Sequence, residues 1–164
     1  MNTDFEITPA QPADWPAIWP ILQKVLAAGS NFVFPTDFEE ESMCRIWFGK
    51  GTIVFKVLSG GQVVGSYFIR PNHSGPGSHV ANAAYATHSD FRRKGIGGAM
   101  CQHSIATARD RGFSAMQFNE VIGINTAATK LYARNGFNIV GRIPDGYIDE
   151  VRGRSDLLIF HREV

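Results

Sequence analysis

The segment richest in chemistry is Arg92-Arg93-Lys94-Gly95-Ile96-Gly97-Gly98. Three glycines let the backbone turn tightly and aim consecutive N–H groups at one point, where the unbonded N–H groups of a helix start add partial positive charge. The three cations just before them stand where further phosphate oxygens would lie. The segment reads as an anion cradle for a pyrophosphate. The plainer reading, a strand-to-helix turn with a basic surface, must treat three cations beside three glycines as coincidence. A P-loop is excluded, because Lys94 precedes the glycines and no hydroxyl follows the last of them. A Rossmann turn fits poorly: after Gly95 and Gly97 the third glycine position is broken at Met100, and the loop follows several elements instead of opening a βαβ unit.

Other polar groups stand out by their surroundings. Asn82 lies inside the small-residue run VANAAYAT and Asn119 inside MQFNEV. A buried mid-strand amide must find partners or cost a few kcal/mol, about 1–3 per unmet group. Asn125 opens a helical pattern and can serve as its N-cap. Tyr132, beside Leu131 in that helix, fits a packed aromatic. Cys44 and Cys101 fall in helical patterns, and two cysteines build neither a disulfide framework nor a zinc site, so both are expected to be reduced core residues.

The elements that must hold these residues follow from periodicity and punctuation. A short strand is expected over Phe5–Thr8, then a helix from about Asp14 to Ala28 carrying Trp15, Ile18, Trp19, Leu22, Val25 and Leu26. Pro16 suits its first turn, whereas Pro20 predicts a late start or a kink. Residues Ser30–Pro35 form an aromatic loop. Thr36 with Glu39 makes a capping-box pattern for a second helix through Met43, Ile46 and Trp47. Strands Thr52–Leu58 and Gln62–Arg70 flank Ser59-Gly60-Gly61, a hairpin turn. A third strand, Ser78–Thr87, runs into the glycine segment. The helix Gly97–Arg111 then places Ile96, Met100, Cys101, Ser104, Ile105 and Ala108 on one face, with Gly112 as its cap. Strand Phe113–Val121, helix Asn125–Asn135, strand Phe137–Arg142 and a final strand Arg154–His161 complete a mixed α/β sheet with helices on both faces. With no repeat or linker, residues 1–164 read as a single domain.

Composition narrows the classes. The 164 residues are 44% hydrophobic and 19% charged, too apolar for a disordered chain, and the net charge of +1 supplies no general field toward nucleic acid or a membrane surface. Any basic function is local. The N-terminal residues lack a signal-peptide pattern and no apolar run reaches membrane-spanning length, so the expectation is a cytoplasmic protein with no membrane partner.

Arg92, Gly95 and Gly97 match the pyrophosphate pattern of the GNAT superfamily of acetyl-CoA-dependent N-acetyltransferases, in which Arg or Gln is followed at fixed spacing by Gly and then Gly or Ala. The run Asn125 to Phe137 (NTAATKLYARNGF) is similar to a second block of that family. The resemblance extends from about Thr52 to Phe160, with residues 1–51 fitting loosely. It implies a GNAT fold: a mixed, mostly antiparallel sheet whose middle strands splay apart to hold the acetyl-pantetheine arm and the incoming amine. It implies acetyl-CoA as cofactor, bound by Arg92, Arg93, Lys94, Gly95, Ile96, Gly97 and Gly98, by backbone groups of Tyr85 and Thr87, and by Asn125 and Tyr132. In the family the matching Tyr protonates the departing thiolate, which makes Tyr132 a candidate general acid. No metal is implied, and a homodimer is a common assembly.

The set Asn82, Asn119 and Asn125 is similar to that in the fungal branch that acetylates proline-type imino acids. There the strand asparagines line the acceptor pocket and help activate the nucleophile. Asn82 and Asn119 are therefore catalytic and substrate-binding candidates, the alternative being an amide pair bridging the splayed strands. Phe32, Phe34 and Trp47 are candidate pocket walls or plain core. An attacking amine must lose a proton, with Glu120 or His88 as candidate base; a surface carboxylate or a satisfied loop histidine is the more common explanation of either, and neither is assigned. The function expected is acetyl transfer to a small amine acceptor, such as an amino or imino acid. The alternatives are a protein lysine or N-terminal acetyltransferase, for which Glu39-Glu40-Glu41 could attract a basic peptide, and a non-catalytic acetyl-CoA-binding module. A nucleic-acid-binding role for the three cations is disfavoured by the absence of a wider basic stripe.

Overall fold

The computed structural model describes residues 4–164. Seven strands form one sheet: β1 (Glu6–Pro9), β2 (Ile53–Ser59), β3 (Gln62–Pro71), β4 (Val80–Thr87), β5 (Ala115–Ile122), β6 (Asn138–Asp149) and β7 (Gly153–Glu163). Their spatial order is β1-β2-β3-β4-β5-β7-β6. Every neighbouring pair is antiparallel except β4 and β5. A parallel pair needs a crossover, supplied here by helix α3 (Ile96–Asp110). The remaining helices are α1 (Trp15–Ala27), α2 (Glu40–Trp47) and α4 (Thr126–Arg134).

Strand alternation sorts the core into two layers. On one face Val57, Tyr67, Ala81, Ala83, Met116 and Phe118 pack against α3 through Ile96, Met100, Cys101, Ile105 and Ala108. On the other, Val54, Phe68 and Ala86 meet α1 and α2 through Ile18, Leu22, Val25, Met43 and Trp47. Covered on both faces, β3 is buried from Val64 to Ile69. The sheet is therefore flanked by helices on both sides, in the element order expected from periodicity.

Three local expectations fail for identifiable reasons. Helix α1 starts at Trp15 and runs unbroken through Pro20, so the late start does not occur. Both Pro20 and Pro16, whose carbonyl Pro20 cannot bond, are exposed, so the lost bond is not a buried one. The Thr36–Glu39 capping box does not form: Glu39 is the N-cap of α2, extended and without a side-chain bond. Phe38 packs on Phe34 at 5.0 Å between ring centroids, and residues 36–37 are spent turning the chain into that contact. Finally, β6 continues past Arg142 to Asp149. A register irregularity absorbs Pro144-Asp145-Gly146, and Asp156 of β7 holds it through the Asp145 N–H and the Arg142 guanidinium. Gly146 is required there, because a Cβ would lie 2.9 Å from Leu157 Cγ.

The feature that matters for function is the fork between β4 and β5. They pair only at Val80 with Ala115 and Ala81 with Met116, then diverge. No helix among the described residues is long and apolar enough to cross a membrane.

Candidate active site

Beyond the fork, β4 keeps an unbroken register with β3. Val80 O accepts from Asn72 and the His88 N–H donates to Val64 O, so even-numbered residues of β4 bond toward β3. The N–H and C=O groups of Ala83, Tyr85 and Thr87 therefore point the opposite way, into the gap, with no strand to receive them. A cavity of about 990 Å³ fills this gap and extends onto the α1/α2 face.

One end of the cavity is the glycine turn. Gly95 is the N-cap of α3 at φ 85°, a left-handed conformation suited to glycine, and Arg93 also has a positive φ of 62°. The helical ladder opens with Ala99 N–H donating to Gly95 O at 3.0 Å. The N–H groups of Ile96, Gly97 and Gly98 are left without an intrahelical carbonyl, at the positive end of a 15-residue helix. Arg92, Arg93, Lys94 and Gly97 line the cavity. None of the three cations is in an ion pair among the described residues. Gly95 and Gly98 are not on its wall, and the Ile96 side chain is buried in the core, so its contribution reduces to its main-chain N–H. The turn fits a diphosphate by its unbonded donors and unpaired cations.

Tyr132 lies midway. Its ring packs on Phe118 at 4.3 Å, and no described protein group bonds its hydroxyl. The residue lines the cavity, and burial pushes its phenol well above its ordinary value. Tyr85 contributes main chain only: its hydroxyl is tied to Ser104 Oγ at 2.7 Å, under α3.

At the far end Asn82, Asn119, Phe32, Phe34, Trp47, Arg70 and Glu120 converge. Asn82 and Asn119 belong to a chain of amides across the fork. Asn82 Nδ2 donates to Gln117 O (2.9 Å), Gln117 Nε2 to Asn119 Oδ1 (2.8 Å), and Asn119 Nδ2 to Asn72 Oδ1 (2.7 Å). The bridging role is thus real, and Asn82 Oδ1 still faces the cavity without a protein partner among the described residues. Asn125 caps α4, its Oδ1 accepting from Ala128 N–H. Its Nδ2 donates to Ser30 O and Asn31 Oδ1, which uses both amide protons and leaves only an oxygen lone pair for a ligand. Trp47 is core as well as wall, its indole N–H donating to Ser66 Oγ.

Of the two base candidates, only Glu120 lines the cavity. The His88 ring accepts from Asp90 N–H as a turn cap. Neither cysteine lines the cavity; the Cys101 thiol is pushed up to about 12 by burial. In the acidic run at the start of α2, Glu40 accepts from the Trp15 indole, Glu41 pairs with Arg45 at the surface and Glu39 is exposed; none of the three lines the cavity. Arg70, Asn72 and Gln117 had escaped notice in the sequence. The available signal was alternation: Phe68 and Arg70 share one face of a buried strand, an odd place for a cation.

The model of the Acetyltransferase (GNAT) family matches residues 15–137. The chain belongs to that family. Its members use acetyl-CoA, which the donors of the glycine turn and the gap-facing main chain of β4 fit. A GCN5-related N-acetyltransferase from Kribbella flavida superposes with a TM-score of 0.94 at 32% identity, over 100% of both chains. A curated fungal relative, N-acetyltransferase aca1 of Schizosaccharomyces pombe, is 30% identical over 96 residues, 54% of this chain. The match spans 46% of that relative, somewhat under half its length. The protein yncA from Salmonella typhimurium, described as an acetyltransferase and solved with its cofactor acetyl-CoA, shares the fold with a TM-score of 0.83 at 20% identity, over 97% of this chain and 93% of its own.

Proposed function

We propose that the chain is a single acetyltransferase domain that moves an acetyl group from acetyl-CoA directly to the amine of a small acceptor, an amino or imino acid. The observation that carries this reading is the open fork. It joins a diphosphate-binding turn to an acceptor-sized end through a passage that contains one unbonded phenol, Tyr132.

Acetyl-CoA supplies an activated acetyl thioester. The Ile96, Gly97 and Gly98 N–H groups, with Arg92, Arg93 and Lys94, hold its diphosphate. The gap-facing groups of Ala83, Tyr85 and Thr87 align the arm as a further strand would, and an N–H among them polarises the thioester carbonyl. Along β4, Thr87 and Asn82 are five residues apart, about 16 Å at ~3.3 Å per residue, which separates the diphosphate end from the acceptor end.

At the acceptor end Asn82 Oδ1 receives an N–H of the incoming amine and orients its lone pair. Glu120 takes the proton the amine must shed. Tyr132 Oη returns a proton to the departing thiolate; burial raises its pKa, so the phenol keeps its proton past the ordinary tyrosine range. The Cys101 thiol is buried in the core and does not line the cavity, in keeping with direct transfer.

Incubation with acetyl-CoA and a panel of amino acids and polyamines, read by mass spectrometry, tests the proposal. Products heavier by one acetyl group are expected from small amino or imino acids. Tight acetyl-CoA binding with no product from any amine would instead leave a cofactor-binding module.

A further inference from the structure

Four cations line the cavity, and three of them belong to the glycine turn. The fourth, Arg70, stands at the opposite end, at the close of β3. It is half-buried, and its guanidinium carbon lies 5.0 Å from the centroid of the Phe68 ring. That ring meets Trp47 edge-on at 5.0 Å, and Phe32, Phe34, Ala84 and Ala86 complete an apolar lining. The five ion pairs among the described residues all involve other cations. Two carboxylates share the cavity wall, and neither is paired with Arg70: Asp90 bonds Ser89 beside the glycine turn, and Glu120 is carried by β5 across the fork.

A guanidinium in apolar surroundings is costly unless it is matched, and stacking on an aromatic ring offsets only part of that cost. What matches it best is a planar carboxylate held by two parallel N–H···O bonds. The position also measures its ligand. Arg70 and Asn82 are register partners on adjacent strands, with side chains on the same face and Cα atoms roughly 5 Å apart. Asn82 is braced through its Nδ2 on Gln117 O and presents Oδ1 to the cavity. A forked cation and an amide acceptor therefore sit side by side, one strand spacing apart. An α-amino acid has the same arrangement, a carboxylate and an amine on one carbon. Its side chain would fall among Phe32, Phe34 and Trp47.

We propose that Arg70 binds the carboxylate of the acceptor and so selects free α-amino or α-imino acids over amines, amides and peptide chains. The inference rests on the acetyl-transfer reading of this cavity. A lysine side chain or an internal peptide residue would bring no carboxylate to Arg70 and would bury its charge against neutral atoms, a penalty that works as rejection.

Matched pairs test this: L-proline against L-prolinamide and L-leucine against L-leucinamide, with wild type, Arg70→Gln and Arg70→Lys. Wild type should acetylate the free acids with a KM roughly 30-fold or more below that for the amides, the scale of a buried charge pair. Arg70→Gln should bring the two KM values together, raising that for the acids by loss of the charge partner and lowering that for the amides by loss of the rejection. Arg70→Lys should restore part of the loss, since it keeps the charge but not the fork. Acetyl-CoA affinity by calorimetry should be the same in all three proteins, which also shows that the variants fold. Equal use of acids and amides by wild type, a parallel loss on both in Arg70→Gln, or acetyl-CoA binding without acetylation of either class would overturn the anchor. A wild-type protein that does not bind acetyl-CoA at all would instead overturn the acetyl-transfer reading itself.

Discussion

At the glycine turn the cavity wall comes from one run of consecutive residues with free main-chain N–H groups beside it, whereas at the other end it is side chains brought from β3, β4, β5, α2 and the loop before α2. On the proposed reading the first wall meets the diphosphate that every acetyl-CoA molecule carries, for which backbone N–H groups suffice. On the same reading the second wall meets the acceptor, with Arg70, Asn82, Phe32, Phe34 and Glu120, which are far apart in the chain. A site built from backbone is announced by local residue types. A site built from side chains is announced only once the sheet has been assembled.

The sharpest way to break this contrast is at Gly97. Its missing Cβ would lie 3.7 Å from Leu131 Cδ2, an ordinary contact, so the fold should tolerate a side chain there. Gly97→Glu nonetheless puts an anion among the free N–H groups. Acetyl-CoA affinity by calorimetry should fall roughly 100-fold or more with the melting temperature little changed; retained affinity would show that the turn does not hold the diphosphate. Next in size is Tyr132→Phe, expected to lower kcat roughly 100-fold while acetyl-CoA affinity is kept. Because burial raises the phenol's pKa, its acidic form persists past the ordinary value of about 10. The rate should therefore rise with pH as the acceptor amine deprotonates. A falling limb below pH 10 that vanishes in Tyr132→Phe would contradict the role.

Smaller effects should separate the two ends. Phe34→Ala should raise the acceptor KM roughly 10-fold, the worth of part of a buried aromatic, without moving acetyl-CoA affinity. A change confined to acetyl-CoA affinity would place Phe34 at the wrong end. The mildest change is Asn125→Ala, which removes the α4 cap and its hold on Ser30 and Asn31. About 1 kcal/mol for the cap corresponds to a melting temperature lower by about 2–4 °C at this chain length. Differential scanning calorimetry would detect it.

Most of the fold was legible in the sequence because its signals are local. The face Ile96, Met100, Cys101, Ser104, Ile105, Ala108 is the buried face of α3, and Gly60-Gly61 is the turn between β2 and β3. Where tertiary contacts overrule local preference, the reading failed. Phe38 docks on Phe34 and displaces the start of α2, and Asp156 carries β6 through a Pro-Asp-Gly stretch that normally ends a strand. The site divides in the same way. Arg92 to Gly98 were visible as a unit, whereas the bond of Asn119 to Asn72 spans 47 residues and no spacing rule reaches it. Arg70 was hidden for the same reason, since its significance depends on its having no ion-pair partner among the described residues once the sheet is assembled.

Asn125 hangs the loop bearing Phe32 and Phe34 from the first turn of α4, through Ser30 and Asn31. The fastening is made to a main-chain oxygen and one asparagine at the root of the loop, not to its aromatic tip. The tip can therefore be retailored for a different acceptor while its suspension point, and the helix that carries Tyr132, keep their positions. In a fold of this kind, new specificity calls for new upholstery on an old hinge.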